Sequence, residues 1–269
     1  MLPRNDVLIG PLPNIIVKLG IHTIMSDKKT VIAFDLYGTL LSTESIAKEL
    51  ARHFGNEKAQ SVATLWRRYQ LEYTFRMNSM LLYKPFSQIT NTSLRHAISE
   101  HKLALSEADI ESAMEAYNSL SAFPDALIGL GYLAKDSETN AYVFSNGTNE
   151  MVSSSVQSSP ELSSFKGLFK ELITVDDVKH YKPHPKVYEH LVREVRGGVE
   201  KKDCENVWLV SGNPFDVVGA RHAGLMTCWV DRSKGGWNDT LGDLASGGPH
   251  LVVEGVDAAV REIKRVSKD

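Results

Sequence analysis

The sequence predicts an α/β fold in which a doubly wound parallel sheet carries a helical-bundle cap domain inserted after its first strand. Three patterns lead there. Residues 31–41, VIAFDLYGTLL, open with four mostly apolar positions that suit a strand covered on both faces, then reach an acid and a turn. Roughly 80 residues of helical periodicity without a convincing strand follow. Beyond residue 140, strand and helix patterns alternate, as parallel strands joined by right-handed crossovers require.

Residues 1–24 scatter prolines around one Arg and one Lys, show no periodic apolar face, and read as an N-terminal extension outside the fold, with Met25 as a second natural start. Asp6 and the prolines make a poor mitochondrial presequence, and there is no compact signal-peptide core. A cytoplasmic protein is expected, with a mitochondrial one as the alternative. The α/β core is assigned residues 25–42 and 125–269, and the helical cap residues 43–124. Within the cap, residues 43–56 place Ile46, Ala47, Leu50 and Phe54 on one stripe closed by Gly55. Residues 58–79 repeat Val62, Leu65, Trp66, Tyr69, Tyr73 and Met77 at spacings of three and four. Further helices are predicted over 86–101 and 106–120, and Pro124 ends the block. In the core, strands are predicted at 141–146, 172–177, 207–212 and 227–231, with irregular loops over Ser-rich 153–164 and Gly-rich 233–248.

With 269 residues, 42% of them apolar and 23% charged, the chain can bury a full core, and a net charge of −3 gives no electrostatic footprint for nucleic acid or an anionic membrane. No apolar run is long enough to span a bilayer. Cys204 and Cys228, the only cysteines, lie far apart and make neither a zinc motif nor a disulfide framework. His180, His184 and His190 have no thiol or acid spaced to complete a metal site and read as solvated.

Four strand ends deliver polar side chains to one edge of the sheet, the edge where open α/β sheets bind ligands. The first gives Asp35, with Gly38 allowing a tight turn and Thr39 placing a hydroxyl beside the carboxylate. Next comes Ser145-Asn146-Gly147, donors that precede a helix start and can hold an anion. Beyond the third strand, Lys182 is followed by Pro183 and a helix with Pro185 in its first turn. The fourth end is SGNPFD, in which Asn213 can cap a helix opening at Pro214 and Asp216 lies in its first turn. Each has a plainer use: Asp35, Asn213 and Asp216 as caps, Ser145 in a turn, Lys182 as a solvated charge. One acid, one hydroxyl, one lysine and a second acid at successive strand ends together point to catalysis.

DLYGTLL, FSNG, YKPH and SGNPFD, in that order and with a helical insert after the first, resemble the haloacid dehalogenase (HAD) superfamily. LWRRYQLEYTF in the insert resembles, more narrowly, the type II (S)-2-haloacid dehalogenases, whose equivalent helix ends in Tyr-Thr and an aromatic. The likeness runs over residues 30–265. It implies a Rossmann-like HAD core and a nucleophilic Asp35. The superfamily's phosphatases place a second Asp two residues after the nucleophile, to protonate the departing alkoxide and help hold Mg²⁺; here that position is Tyr37. Their acidic cluster at the fourth motif is reduced to Asp216. A departing halide needs no proton, so the missing acid is no handicap to dehalogenation.

The expected mechanism is covalent. Asp35 displaces the halide from behind to form an ester, and water activated by Asp216 then attacks the ester carbonyl and frees a 2-hydroxy acid of inverted configuration. Lys182 eases the approach of two carboxylates and keeps Asp35 ionised. The resemblance makes Arg67 the acceptor of the halide with Asn146 assisting. Thr39, Ser145, Tyr188, Ser211 and Asn213 orient the carboxylates, Lys182 or the substrate carboxyl group, and Tyr37, Leu71, Phe86 and Phe215 line an apolar pocket. Two positions depart from the family: Arg68, where Gln is frequent, is expected to reshape the pocket mouth, and Phe215, where many members have Trp, to enlarge the pocket. No cofactor is expected, with Mg²⁺ reserved for a phosphatase. The expected partner is a short 2-haloacid or related organic acid, with a homodimer admitted. A hydrolase of another small substrate, including a weak phosphatase, and a non-catalytic binding protein of the same fold are the competing readings.

Overall fold

A computed structural model describes residues 29–268; the extension expected over residues 1–24 lies outside them. Strand β1 (Thr30–Asp35) leads into a helical block that opens with a 3₁₀ turn, Thr43–Ile46, and continues as α1 (Ala47–Phe54), α2 (Asn56–Ser79), α3 (Phe86–Glu100) and α4 (Glu107–Tyr117). Gly55, at φ +72°, separates the first two helices, and Ser106 starts α4 with a capping box closed by Asp109. The chain then runs through α5 (Pro124–Leu133), β2 (Thr139–Ser145), α6 (Asn149–Ser158), β3 (Phe169–Thr174), α7 (Pro185–Arg196), β4 (Val207–Ser211), α8 (Pro214–His222), β5 (Met226–Val230), α9 (Leu241–Ala245), β6 (Leu251–Val253) and α10 (Val256–Val266).

All pairings in the sheet are parallel, in the order β3-β2-β1-β4-β5-β6. Strand order reverses between β1 and β4, which opens a crevice at their carboxyl ends. Phe34 pairs with Val210, so Asp35 and Ser211 emerge side by side at that crevice. Val31, Ile32, Ala33 and Phe34 are wholly buried, as a central strand covered by helices on both faces demands.

Two expectations need correction. The Ser-rich stretch is not irregular: α6 forms because Thr148 caps it through Met151 N at 3.2 Å, and Met151, Val152, Ser155 and Val156 bury one face. The Gly-rich stretch contains the single-turn α9. The sixth strand, β6, went unforeseen; its three residues are too few to show a period.

The two chain segments joining β1 to the helical block and the block to α5 are tied to each other. Ser42 N donates to the Ser121 carbonyl at 2.9 Å, and Phe123 N to that of Leu40 at 3.0 Å. Arg232, after β5, grips both segments: its guanidinium donates to both Asp125 carboxylate oxygens at 3.0 and 2.8 Å and to the Thr39 carbonyl at 2.8 Å. At the other side of the block, Asn78 closes a two-bond pair with the Tyr181 backbone, Nδ2 to O at 2.6 Å and Oδ1 from N at 2.9 Å, while the Tyr83 hydroxyl bonds Asp176. Among the described residues, no helix is long and apolar enough to cross a membrane.

Candidate active site

Asp35 closes β1 with only 8% of its side chain exposed. After it the chain reverses so tightly that the Leu36 carbonyl accepts from the amides of Leu40 and Leu41 at 3.0 and 2.9 Å. Gly38 takes φ +87° in this turn, and a Cβ there would stand 3.4 Å from Asn213 Nδ2. The turn returns Thr39 to the carboxylate. Oδ2 of Asp35 accepts from Thr39 Oγ1 at 2.9 Å, Asn213 Nδ2 at 2.6 Å and Ser211 Oγ at 3.4 Å. Oδ1 accepts from Lys182 Nζ at 3.1 Å. One oxygen is therefore saturated by neutral donors and the other faces the ammonium.

Lys182 is 1% exposed and spends all three N–H bonds: on Asp35, on Asp216 Oδ2 at 2.8 Å and on the Phe144 carbonyl at 2.8 Å. Its backbone N–H donates to Asn146 Oδ1 at 2.9 Å, which ties the second strand end to the third. Asp216 is wholly buried and receives the Tyr188 hydroxyl on Oδ1 at 2.8 Å. Burial pushes the Asp216 carboxyl up to about 6; Lys182 pulls it back and the Asp35 charge adds to the rise. The Tyr188 hydroxyl, also fully buried, is driven well above its ordinary value by burial and by Asp216, so it stays a neutral donor. For Asn213 and Lys182 the plainer uses do not hold. Asn213 occupies the N-cap position of α8, but its side chain makes no cap bond and turns to Asp35 and the Tyr37 carbonyl, and Lys182 is no surface charge. Ser145 does take a turn role: its buried hydroxyl accepts from Gly147 N at 3.1 Å.

Helix α2 covers this edge with one stripe. Arg67 Nη2 donates to the Tyr37 carbonyl at 3.2 Å and to Asn213 Oδ1 at 3.3 Å, while Nη1 donates to Gln70 Oε1 at 2.7 Å. Leu71 and Phe75 follow at intervals of four, and Phe75 meets Phe215 edge-on with ring centroids 5.3 Å apart. Asn78 completes the stripe one turn on. Tyr37 is buried beneath it, stacked on Phe86 at 6.0 Å, with its hydroxyl 3.4 Å from Ser155 Oγ. Arg68 is not at the pocket mouth. One residue on from Arg67 it turns about 100° around the helix, lies 64% exposed and faces Glu100 at 3.9 Å. Gln70, Phe75 and Asn78 escaped the sequence reading, because polar or aromatic residues on a long helix look like its solvated face; their spacing from Arg67 was the available signal.

The histidines stand apart from these bonds. His180 and His184 stack at 3.9 Å, while His190, expected to be solvated, is instead buried and faces Asp177 and Glu194. Among the described residues, no group of three or more His, Cys, Asp or Glu is placed to hold a metal ion, and both cysteines are buried and free.

The model of the haloacid dehalogenase-like hydrolases matches residues 29–224. Haloacetate dehalogenase H-2 of Moraxella sp. strain B is 33% identical over 88% of this chain and 98% of its own length. (S)-2-haloacid dehalogenase H-109 of Pseudomonas putida is 33% identical over 78% of this chain and 89% of its own. Among solved structures, the L-2-haloacid dehalogenase of Xanthobacter autotrophicus with chloropropionic acid covalently bound superposes with a TM-score of 0.73, at 27% identity, over 88% of this chain and 99% of that one. The parallel sheet, the acid-lysine-acid cluster at its switch point and these likenesses agree: the chain belongs to the haloacid dehalogenase-like hydrolases and, within them, to the (S)-2-haloacid dehalogenase family.

Proposed function

We propose that this enzyme hydrolyses short (S)-2-haloalkanoic acids to (R)-2-hydroxy acids through an ester on Asp35, with the helices over residues 43–124 acting as a cap on the α/β core. The observation that carries the reading is the unequal treatment of the two Asp35 oxygens. Oδ1 meets a single donor, the Lys182 ammonium, and is the oxygen free to attack carbon. Oδ2 becomes the ester carbonyl, and the donors already on it, Thr39, Asn213 and Ser211, are aimed where negative charge gathers when water adds. Backside displacement inverts the carbon once; water then attacks the carbonyl, not that carbon, so the inversion survives.

Asp216 serves as the base for that water. Its raised pKa makes it a stronger base than a solvated aspartate while leaving it ionised at neutral pH. Once Asp35 is esterified, the Lys182 ammonium, 2.8 Å from Asp216 Oδ2, still holds the Asp216 carboxylate in place. Arg67, bound to Asn213 and to the Tyr37 carbonyl, receives the halide as charge develops on it, with Asn146 assisting. Ser145, whose hydroxyl accepts from the Gly147 amide and so keeps its own O–H to donate, lies at the strand end suited to the substrate carboxylate. Leu71, Phe86, Tyr37 and the Phe75–Phe215 pair form the apolar walls.

The cluster does not suit Mg²⁺. Lys182 Nζ stands 3.1 and 2.8 Å from the two carboxylates, where a divalent cation would compensate them, and Tyr37 offers a neutral, buried ring in place of a second acid. The reading is therefore metal-independent dehalogenation.

A single turnover in heavy-oxygen water, with enzyme in excess and EDTA present, tests it. Unlabelled hydroxy acid and label in the Asp35 peptide are expected, because the oxygen first delivered to product is one already on the carboxylate. Label going straight into the product would mean that water attacks the substrate itself, and Asp35 would lose its role.

A further inference from the structure

Hydrogen bonds donated by Arg67 run two ways, through Asn213 to Asp35 and through Gln70 and Thr90 to the backbone of α3, and Gln70 anchors the second branch. Gln70 and Thr90 are both wholly buried. The Thr90 hydroxyl donates to the Phe86 carbonyl at 2.8 Å, so its oxygen must accept, and the Gln70 amide nitrogen supplies the proton at 2.8 Å. That fixes which way the amide points. Its oxygen is left for Arg67 Nη1 at 2.7 Å and the Tyr117 hydroxyl at 3.1 Å. Arg67 donates onward to Asn213 Oδ1, and Asn213 Nδ2 donates to Asp35 Oδ2 at 2.6 Å.

We propose that Gln70 is a positioning residue for the displacement step: it orients the Arg67 guanidinium toward the departing halide without spending its charge. This rests on the reading of Arg67 as halide acceptor. A residue at this place that served packing alone would be apolar, since burying an amide costs free energy that its hydrogen bonds only offset. A glutamate would satisfy the same donors but would pair with Arg67 and cancel the charge the halide needs. A neutral acceptor whose orientation is set by Thr90 takes one N–H from Arg67 and leaves the cation whole.

The test compares Gln70→Glu, Gln70→Met and Arg67→Lys in the full chain by rapid-quench kinetics on 2-bromo- and 2-chloropropionate. It reads the alkylation rate of Asp35, the rate of ester hydrolysis and inhibition by bromide. For Gln70→Glu, alkylation should slow about tenfold or more, the size of one charge-assisted contact, with the greater loss for the poorer leaving group, chloride. Bromide inhibition should weaken, ester hydrolysis should change by less than about twofold, and adding the substitution to Arg67→Lys should cost little more. Equal losses in both steps, with unchanged dependence on leaving group and bromide, would make Gln70 merely structural and overturn the proposal. If Arg67→Lys itself leaves the leaving-group and bromide dependence intact, the reading of Arg67 fails and the proposal falls with it. Should Gln70→Glu not fold, Gln70→Met and Thr90→Val, which frees the amide to turn over, carry the same readouts.

Discussion

Asp216 is a charge partner of Lys182 and the proposed base, and its surroundings set how basic it is. Burial outweighs the pull of Lys182 and lifts its carboxyl to about 6. Below that pH the base is protonated, so ester hydrolysis should fall along an acid limb centred near there. Alkylation, which does not use Asp216 as a base, need not share that limb, and rapid-quench measurements across pH separate the two steps. The sign for stability is the reverse. Between the ordinary aspartate value and about 6 the folded state binds the proton more readily than the unfolded chain, so this group favours folding more as pH falls through that window. In Asp216→Asn the adduct should build up on Asp35, visible by mass spectrometry of the quenched protein; an unmodified Asp35 peptide alongside lost activity would count against the base assignment.

Glycine 219 shows two element-level preferences in conflict. It lies inside α8, where alanine would normally gain about 1 kcal/mol in helix propensity. Yet a Cβ there would come within 2.5 Å of Pro183 Cβ and 2.6 Å of the Tyr188 hydroxyl. Overpacking of this kind costs about 1–3 kcal/mol, so Gly219→Ala should lower Tm and, by displacing Tyr188 from Asp216, slow ester hydrolysis. A Tm at or above that of the parent would show that the helix yields sideways.

Much of the framework was legible because strands buried on both faces and chemistry at strand ends leave continuous signals in sequence. Asp35, Lys182, Asn213 and Asp216 could be read that way. Helix α2 was read only in part. Trp66 and Tyr69 mark its inner face, where Trp66 Nε1 donates to the Thr90 carbonyl at 2.8 Å, but the stripe over the site mixes Arg67, Leu71, Phe75 and Asn78. Apolar periodicity finds a face that packs; it does not find one that does chemistry. Arg68 was placed at the pocket mouth because it departs from the family beside Arg67, but adjacent residues on a helix share a neighbourhood in sequence and not in space.

Seen as a whole, two of the ties between the helical block and the core sit at opposite sides of the block. Arg232 clasps the segments that enter and leave the block, and Asn78 grips the Tyr181 backbone next to Lys182. The middle of α2, at Arg67, bears on the turn after Asp35, and its C-terminal end, at Asn78, on the loop that carries Lys182. Lifting α2 to release product would break these contacts, and where that step is slower than the chemistry it sets kcat. Turnover of a good bromo-acid should therefore slow as sucrose thickens the medium, and Asn78→Ala, with the outer grip released, should lose most of that sensitivity. A kcat indifferent to viscosity would place the slow step back in the chemistry. Drag from the solvent then becomes a gauge of how tightly two hydrogen bonds, which touch no reacting atom, ration the traffic through the site.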